Sequence, residues 1–431
     1  MAELRRVIGV RALALTMVNL AVGAGIFGLP ALAARELGVG AVFAYLVCIV
    51  LVGLVGLCLA EVGSRVSDAG GVYGYATAAY GPLVGTATGH LLWFANGAVG
   101  NAAIAALLVD TLGVLVPPLA GPLPRAAVLL GYYAVLVVIN ARGTLQGALL
   151  SQLTTVIKLV PLVGLVIFAL PLVQGGNLHL DGCPPPRALG RTAVVLFFAF
   201  MGWESGLGTS GEVTAPARTV PRAILIALTL IATLYLGLQL VAQGVLGPGL
   251  ATAGDAPLSA TALAAFGSVG GTFMLVAAVL STAGAVAGDT LATPRVLHAL
   301  GRDGALPKSV GRVDGTHATP AVAIVVYGVV CAVLALSGTF RVLATLSASG
   351  TLCIYLVCCT GLLRLRARGV REAREPFVVR GGPVVPILAT LTVLAVLAGL
   401  ERRELLALGA MLVVAVGLGF LRRKSTTRAR S

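Results

Sequence analysis

VNLAVGAGIFGLP, residues 18–30, decides how this chain is read. It lies inside the first hydrophobic run, where a membrane-spanning helix needs only continuous apolar residues. Instead, Gly23, Ala24, Gly25, Gly28 and Pro30 fall within eight positions. Glycine weakens a helix and proline removes a backbone donor, so the helix is expected to break in mid-run. At membrane depth, backbone groups freed by a break are tolerated only where they line a cavity or meet a ligand. A second stretch, FAFMGWESG at 198–206, interrupts a later run about halfway along the chain. Paired interruptions in corresponding halves point to a binding site at the midplane.

Composition sets the class around these breaks. Apolar residues make up 58% of the 431 and charged residues 11%, against roughly 25% charge in an average soluble protein. The chain therefore reads as an integral membrane protein. The net charge of +14 is not a nucleic-acid footprint, because Arg and Lys gather in short loops between apolar runs. Six of the seven cysteines fall in hydrophobic segments and none forms a CxxC pair; they read as small apolar packing, with no metal or cofactor expected. Arg5 and Arg6 followed by an apolar run, and Ala31-Leu32-Ala33, mimic a signal peptide. The run is too long for that, and it is read as a retained first helix.

At about 20 apolar residues per span, twelve candidates emerge, with cores at 11–35, 40–64, 84–112, 125–140, 149–172, 190–212, 221–246, 260–292, 320–337, 342–363, 384–400 and 404–421. With the N-terminus inside, 22 basic residues fall on the cytoplasmic side and 7 outside, leaving Lys158 within the membrane. Both termini are then cytoplasmic, in a multi-pass cell-membrane protein. Five spans followed by five more make two repeats, and an odd number per repeat inverts one against the other. The expected organisation is a first repeat at 1–172, a second at 187–366, an appended pair of helices at 383–421 and a basic tail at 422–431.

The breaks offer complementary chemistry. Free N–H groups at the start of the second half of span 1 suit a carboxylate, although close packing by small residues reads equally well there. Carbonyls around Phe198, Ala199, Phe200, Met201 and Gly202 can accept from an ammonium, and Phe198, Phe200 and Trp203 can close over it. A zwitterionic amino acid fits between the gaps. Glu204 either caps the second half-helix or senses protons. Lys158 lies ~15 Å into span 5 at 1.5 Å per residue, beyond the ~6 Å reach of a snorkelling stem. It exchanges a proton, stands in for a bound cation, or is tied to carbonyls of the broken helix. Asn101 either reaches a side-chain pocket or makes an interhelical hydrogen bond. Asp289 is expected to face water or Arg295.

Four stretches carry a resemblance: GAGIF at 23–27, FAFMGWE at 198–204 leading to GEVTAPARTVPR at 211–222, TPRVLHALGRDGALP at 293–307, and EPFVVRGGP at 375–383. Together they resemble the amino acid–polyamine–organocation (APC) superfamily. The resemblance implies an all-α, leucine-transporter-like 5+5 inverted repeat of twelve transmembrane helices, with helices 1 and 6 broken and a two-helix C-terminal hairpin. It implies alternating access to a small-molecule amino acid, whose carboxylate meets the backbone at Gly23, Ala24 and Gly25, beside Ile26, and whose amine lies near carbonyls of Ala21, Phe198 and Met201. It gives Lys158 the place of a sodium ion, favouring proton symport or exchange. By similarity to the arginine/agmatine exchangers, Phe198 is a gating aromatic, Glu204 a proton-sensitive glutamate and Asn101 a substrate contact. Ala24 lacks the hydroxyl often found there, and Ala285-Val286-Ala287 stands where those exchangers carry a tryptophan. A neutral substrate is expected. Transport of an amine or polyamine and export of amino acids are the alternatives.

Other classes fit less well. A membrane-embedded enzyme would need a surface constellation of catalytic groups, and the loops hold no paired carboxylates, His/Asp set or phosphate loop. A nutrient-sensing receptor on the same fold would be expected to carry long extensions. Partners expected are the bilayer, the substrate and protons, with no nucleic acid; the sequence leaves oligomeric state open.

Overall fold

The computed structural model describes residues 8–23, 25–66, 71–142, 158–180, 182–314, 319–371 and 376–428. Within these the chain is helical, and its one β feature is an isolated bridge between Ile8 and Val213. Seven helical stretches are long and apolar enough to cross a membrane: Gly25–Arg65, Pro82–Leu115, Pro122–Arg142, Pro216–Thr252, Pro257–Arg302, Phe340–Ala367 and Arg402–Phe420. Shorter apolar helices stand at Val10–Ala21, Lys158–Leu172, Ala321–Ser337 and Val384–Leu397.

The helices are α1 (Val10–Ala21), α2 (Gly25–Leu37), α3 (Ala41–Arg65), α4 (Val72–Tyr80), α5 (Pro82–Leu91), α6 (Gly100–Leu115) and α7 (Pro122–Arg142). There follow α8 (Lys158–Leu172), α9 (Pro186–Phe200), α10 (Pro216–Leu246), α11 (Pro257–Ala292), α12 (Pro294–Arg302), α13 (Ala321–Ser337), α14 (Phe340–Ala367), α15 (Val384–Leu397) and α16 (Arg402–Arg428). Twelve full-length spans were expected; α13 and α15, at 17 and 14 residues, fall short of that length, and other differences lie at the breaks. The first span is split between α1 and α2, and the sixth stops at Phe200, where a 3-10 segment, Trp203–Glu212, takes over. The first part of the fifth span, 149–157, lies outside the described residues. Two short helices, α4 and α12, interrupt what the sequence reads as loops.

Packing is tight inside and apolar outside. Leu123, Phe168, Val269, Leu406 and Val413 are 66–82% exposed, the surface expected of a molecule solvated by lipid tails rather than water. Inward, α3 packs on α10, α6 on α11, α7 on α13, α2 on α9 and α1 on both α10 and the 3-10 segment, while α3 also packs on α9. The two interrupted helices thereby meet at the centre of the bundle.

Candidate functional site

The first break forms because the chain cannot continue a helix past Ala21. Val22 N–H still donates to Val18 O at 2.8 Å, but Gly23 N–H turns back to Ala21 O at 2.7 Å. The Tyr235 hydroxyl of α10 donates to the same Ala21 carbonyl at 3.0 Å, so both lone pairs of that oxygen are taken. Ala24 lies outside the described residues. At the start of α2 the amides of Gly25, Ile26 and Phe27 have no acceptor within the helix. Gly25 is required here for packing: a Cβ would stand 2.9 Å from the Ala199 Cα, so only glycine lets α2 seat on α9.

The second break faces the first. Met201 is extended (φ −95°, ψ 171°) and Gly202 takes φ +102°. A Cβ on Gly202 would come within 2.8 Å of Leu20 O, so this turn lies against the end of α1. Glu204, 1% exposed, hooks back over it. One carboxylate oxygen accepts from Gly202 N–H at 2.8 Å and from the Tyr355 hydroxyl at 2.8 Å, and the other from Asn96 Nδ2 at 2.9 Å. Asn96 belongs to a π-helical segment, Leu92–Val99, that joins α5 to α6 and also donates to Thr351 Oγ1 at 3.0 Å. Such widened turns recur at functional sites. Glu204 thereby ties the second break to α14 and to the π-helical segment.

Between the breaks lies a cavity of about 480 Å³. Of the residues singled out from sequence, Ala21, Gly23, Gly25, Asn101, Lys158, Phe198, Met201, Gly202 and Glu204 line it. Three others do not. Ile26 is 0% exposed, Ala199 is covered by Gly25, and Phe200 packs edge-on against Tyr45 and Tyr235. Phe198 lines the cavity and packs edge-on to Phe340 with ring centroids 5.8 Å apart. The lining also includes Ala292 and Arg295, which are both exposed.

Lys158, 3% exposed, lines the cavity and donates from Nζ to the carbonyl of Asn19, at the end of α1. No carboxylate pairs with it among the described residues. Asn101 makes interhelical bonds with all of its polar atoms: Tyr133 OH donates to Oδ1 at 2.7 Å, and Nδ2 donates to Val286 O at 3.1 Å and Asp289 Oδ2 at 2.7 Å. Asp289 corrects the sequence expectation. It lines the cavity and is held by Asn101, Thr293 and Tyr327, while Arg295 donates to the Leu291 carbonyl. Sequence reasoning also missed Asn19, Asn96, Tyr235 and Tyr355. The available signal for Asn96 was a lone amide inside an apolar run; for the tyrosines there was none, since their partners are backbone or remote.

A family model described as amino acid permease matches residues 8–416. The branched-chain amino acid permease of Lactococcus lactis is 28% identical over 430 residues, covering 94% of this chain and 91% of its own. The serine/threonine exchanger of Bacillus subtilis is 29% identical over 388 residues, covering 87% of each chain. An uncharacterized transporter of Mycobacterium bovis is 28% identical, covering 99% of this chain and 94% of its own. The family is one of multi-pass membrane transporters, not of enzymes. With the match running from before the first break to the last long helix, this chain belongs to the amino acid permease family.

Proposed function

We propose that this chain is a sodium-independent secondary transporter of neutral amino acids, working by alternating access as a proton symporter or an exchanger. The observation that carries the reading is the cavity shared by the two helix breaks, with Gly23 and Gly25 on one side and Met201 and Gly202 on the other. Free amides at the start of α2 suit the substrate carboxylate, and the extended backbone at Met201 offers carbonyls to its amine. The Lys158 ammonium at Asn19 supplies a fixed positive charge where a sodium ion would otherwise bridge the broken helix. Phe198 on Phe340 serves as the outer gate, and the opening at Ala292 and Arg295 as the cytoplasmic mouth.

The helix pairings support an inverted repeat. Taking α1–α2 as span 1, α3 as 2, α5–α6 as 3, α7 as 4, α9 as 6, α10 as 7, α11 as 8 and α13 as 9, the contacts are 2 with 7, 3 with 8, 4 with 9 and 1 with 6. Exchanging the halves maps each of these onto itself. The contact of 1 with 7 maps onto that of 2 with 6, and both are present. The names of two relatives, a branched-chain permease and a serine/threonine exchanger, support a neutral substrate. The carboxylates of Glu204 and Asp289 on the cavity favour a second reading, transport of an amine.

A melting-temperature screen of the purified protein against amino acids, amines and polyamines tests this, because a ligand that binds only the folded state stabilises it by mass action. Stabilisation by neutral amino acids is expected. Stabilisation by amines lacking a carboxylate would move the reading to an amine carrier, and no shift from any compound would remove it.

A further inference from the structure

Asp289 is built into the cavity wall by four elements. Asn101 Nδ2 of α6 and the Tyr327 hydroxyl of α13 donate to Oδ2, and Thr293, at the junction of α11 and α12, donates to Oδ1 at 2.7 Å. Asn101 cannot turn its amide over. Its Nδ2 also meets the Val286 carbonyl, which only accepts, and its Oδ1 is filled by the Tyr133 hydroxyl of α7. The N–H2 group is therefore locked onto Asp289. Among the described residues no Lys, Arg or His forms an ion pair with this carboxyl group.

An ionisable group within a membrane-spanning stretch such as Pro257–Arg302, held without an ion-pair partner, marks a path for substrate or ions. Oδ2 takes two of the three donors and Oδ1 only one, so Oδ1 keeps a free lone pair in a residue that lines the cavity. We propose that Asp289 selects the substrate's side chain, accepting a hydrogen bond from a hydroxyl or an ammonium group on it. Asn101 is a positioning residue that aims Asp289, not a substrate contact. The proposal rests on the amino acid reading above, not on its neutral class, and adds the class of side chain. An apolar side chain would strip water from the carboxyl group and return nothing, which is the setting in which a polar site rejects an isostere strongly.

The test uses two pairs of amino acids alike in shape but for the donor: threonine with valine, and ornithine with norleucine. Binding of each to the purified full-length protein is measured by calorimetry. In at least one pair the donor member is expected to bind ~100-fold more tightly or better. Preference in the first pair assigns a hydroxyl, and in the second an ammonium. Asp289→Leu should collapse the ratio while valine or norleucine binds as well as before. Should that variant not fold, Asp289→Asn serves for the second pair: Asn101 and Tyr327 claim its one carbonyl oxygen, and its N–H2, in place of the oxygen that accepts from Thr293, then faces the ammonium. Asn101→Ala should lower the ratio without weakening valine, a change that loss of a purely structural bond would not produce. Equal binding within both wild-type pairs, or a ratio untouched in the Asp289 variants, overturns the role of Asp289 and leaves the amino acid reading standing. Binding of none of the four overturns both.

Discussion

Lys158 is a cation with one described partner, the Asn19 carbonyl, in a position 3% exposed. Replacing a buried, unpaired charge by a side chain of similar volume is often neutral or stabilising. Lys158→Met is therefore expected to keep or raise the melting temperature while uptake into liposomes falls at least ~10-fold, the scale of one lost charge-assisted hydrogen bond. Wild-type uptake should be unchanged when choline replaces sodium, and a strict sodium requirement would remove the stand-in role. The glycines of the breaks separate in the same way. A Cβ on Gly23 meets only Ala21 O at 3.8 Å and Ala285 Cβ at 4.0 Å, ordinary contacts on the cavity wall. Gly23→Ala should melt like the wild type and bind substrate more weakly. On Gly202, alanine would meet both the +102° φ and the Leu20 carbonyl, at a cost of about 1–3 kcal/mol in stability. Gly25→Ala should lose stability and binding together, because it pushes α2 off α9. If Gly23→Ala bound substrate normally, the carboxylate site would lie elsewhere.

The breaks were legible in the sequence because they are local: glycines inside an apolar run weaken a helix wherever it packs, whereas Gly28 and Pro30, read into the first break, lie inside α2. What holds each break was not legible, because the partners arrive from distant elements. Tyr235 reaches Ala21 across more than two hundred residues, and Asn96 and Tyr355 reach Glu204 from two other helices. The same limit explains Phe200 and Ile26, which sit in the right motifs but turn to the core, and Asp289, whose cavity face depends on Asn101. The π-helical segment has no residue pattern that separates it from an ordinary span. Glu204 as a three-donor cap gives an element-scale prediction. Glu204→Ala leaves Gly202 and Tyr355 without this acceptor and Asn96 with Thr351 alone, at about 1–3 kcal/mol for a buried group stripped of its partner. Glu204→Gln keeps one oxygen for Gly202 and Tyr355, and Asn96 can turn its amide to accept from the new N–H2 at the expense of its bond to Thr351. Thermal melting should therefore rank wild type, then Gln, then Ala. Equal melting of all three would mean that the break does not depend on this cap.

Across the whole molecule the ion pairs and loop contacts fall into two groups. At one end Arg341 pairs with Glu36 at 2.8 Å, Arg191 pairs with Glu401, and Arg35 Nε reaches Ala251 O at 3.4 Å. These residues belong to the ends and loops assigned outside. At the other end Arg366 and Arg65 converge on the buried Glu61, whose second oxygen accepts from Val379 N–H at 2.8 Å, and Arg368 reaches Ala79 O at 3.3 Å. The sides agree with one another; the 22-to-7 division of basic residues predicts which of them faces the cytoplasm. Cys183 tests that orientation. It is exposed, whereas Cys48, Cys58, Cys331, Cys358 and Cys359 are buried and Cys353 is half-buried. Its neighbour Pro184 packs on Gly40 at the end assigned outside, where a Cβ would lie 2.5 Å from the proline ring. A membrane-impermeant maleimide should therefore label intact cells at this residue, and Cys183→Ser should abolish the labelling. Labelling that appears only after permeabilisation would turn the molecule over, and the opening beside Arg295 would then receive substrate from outside instead of releasing it to the cytoplasm.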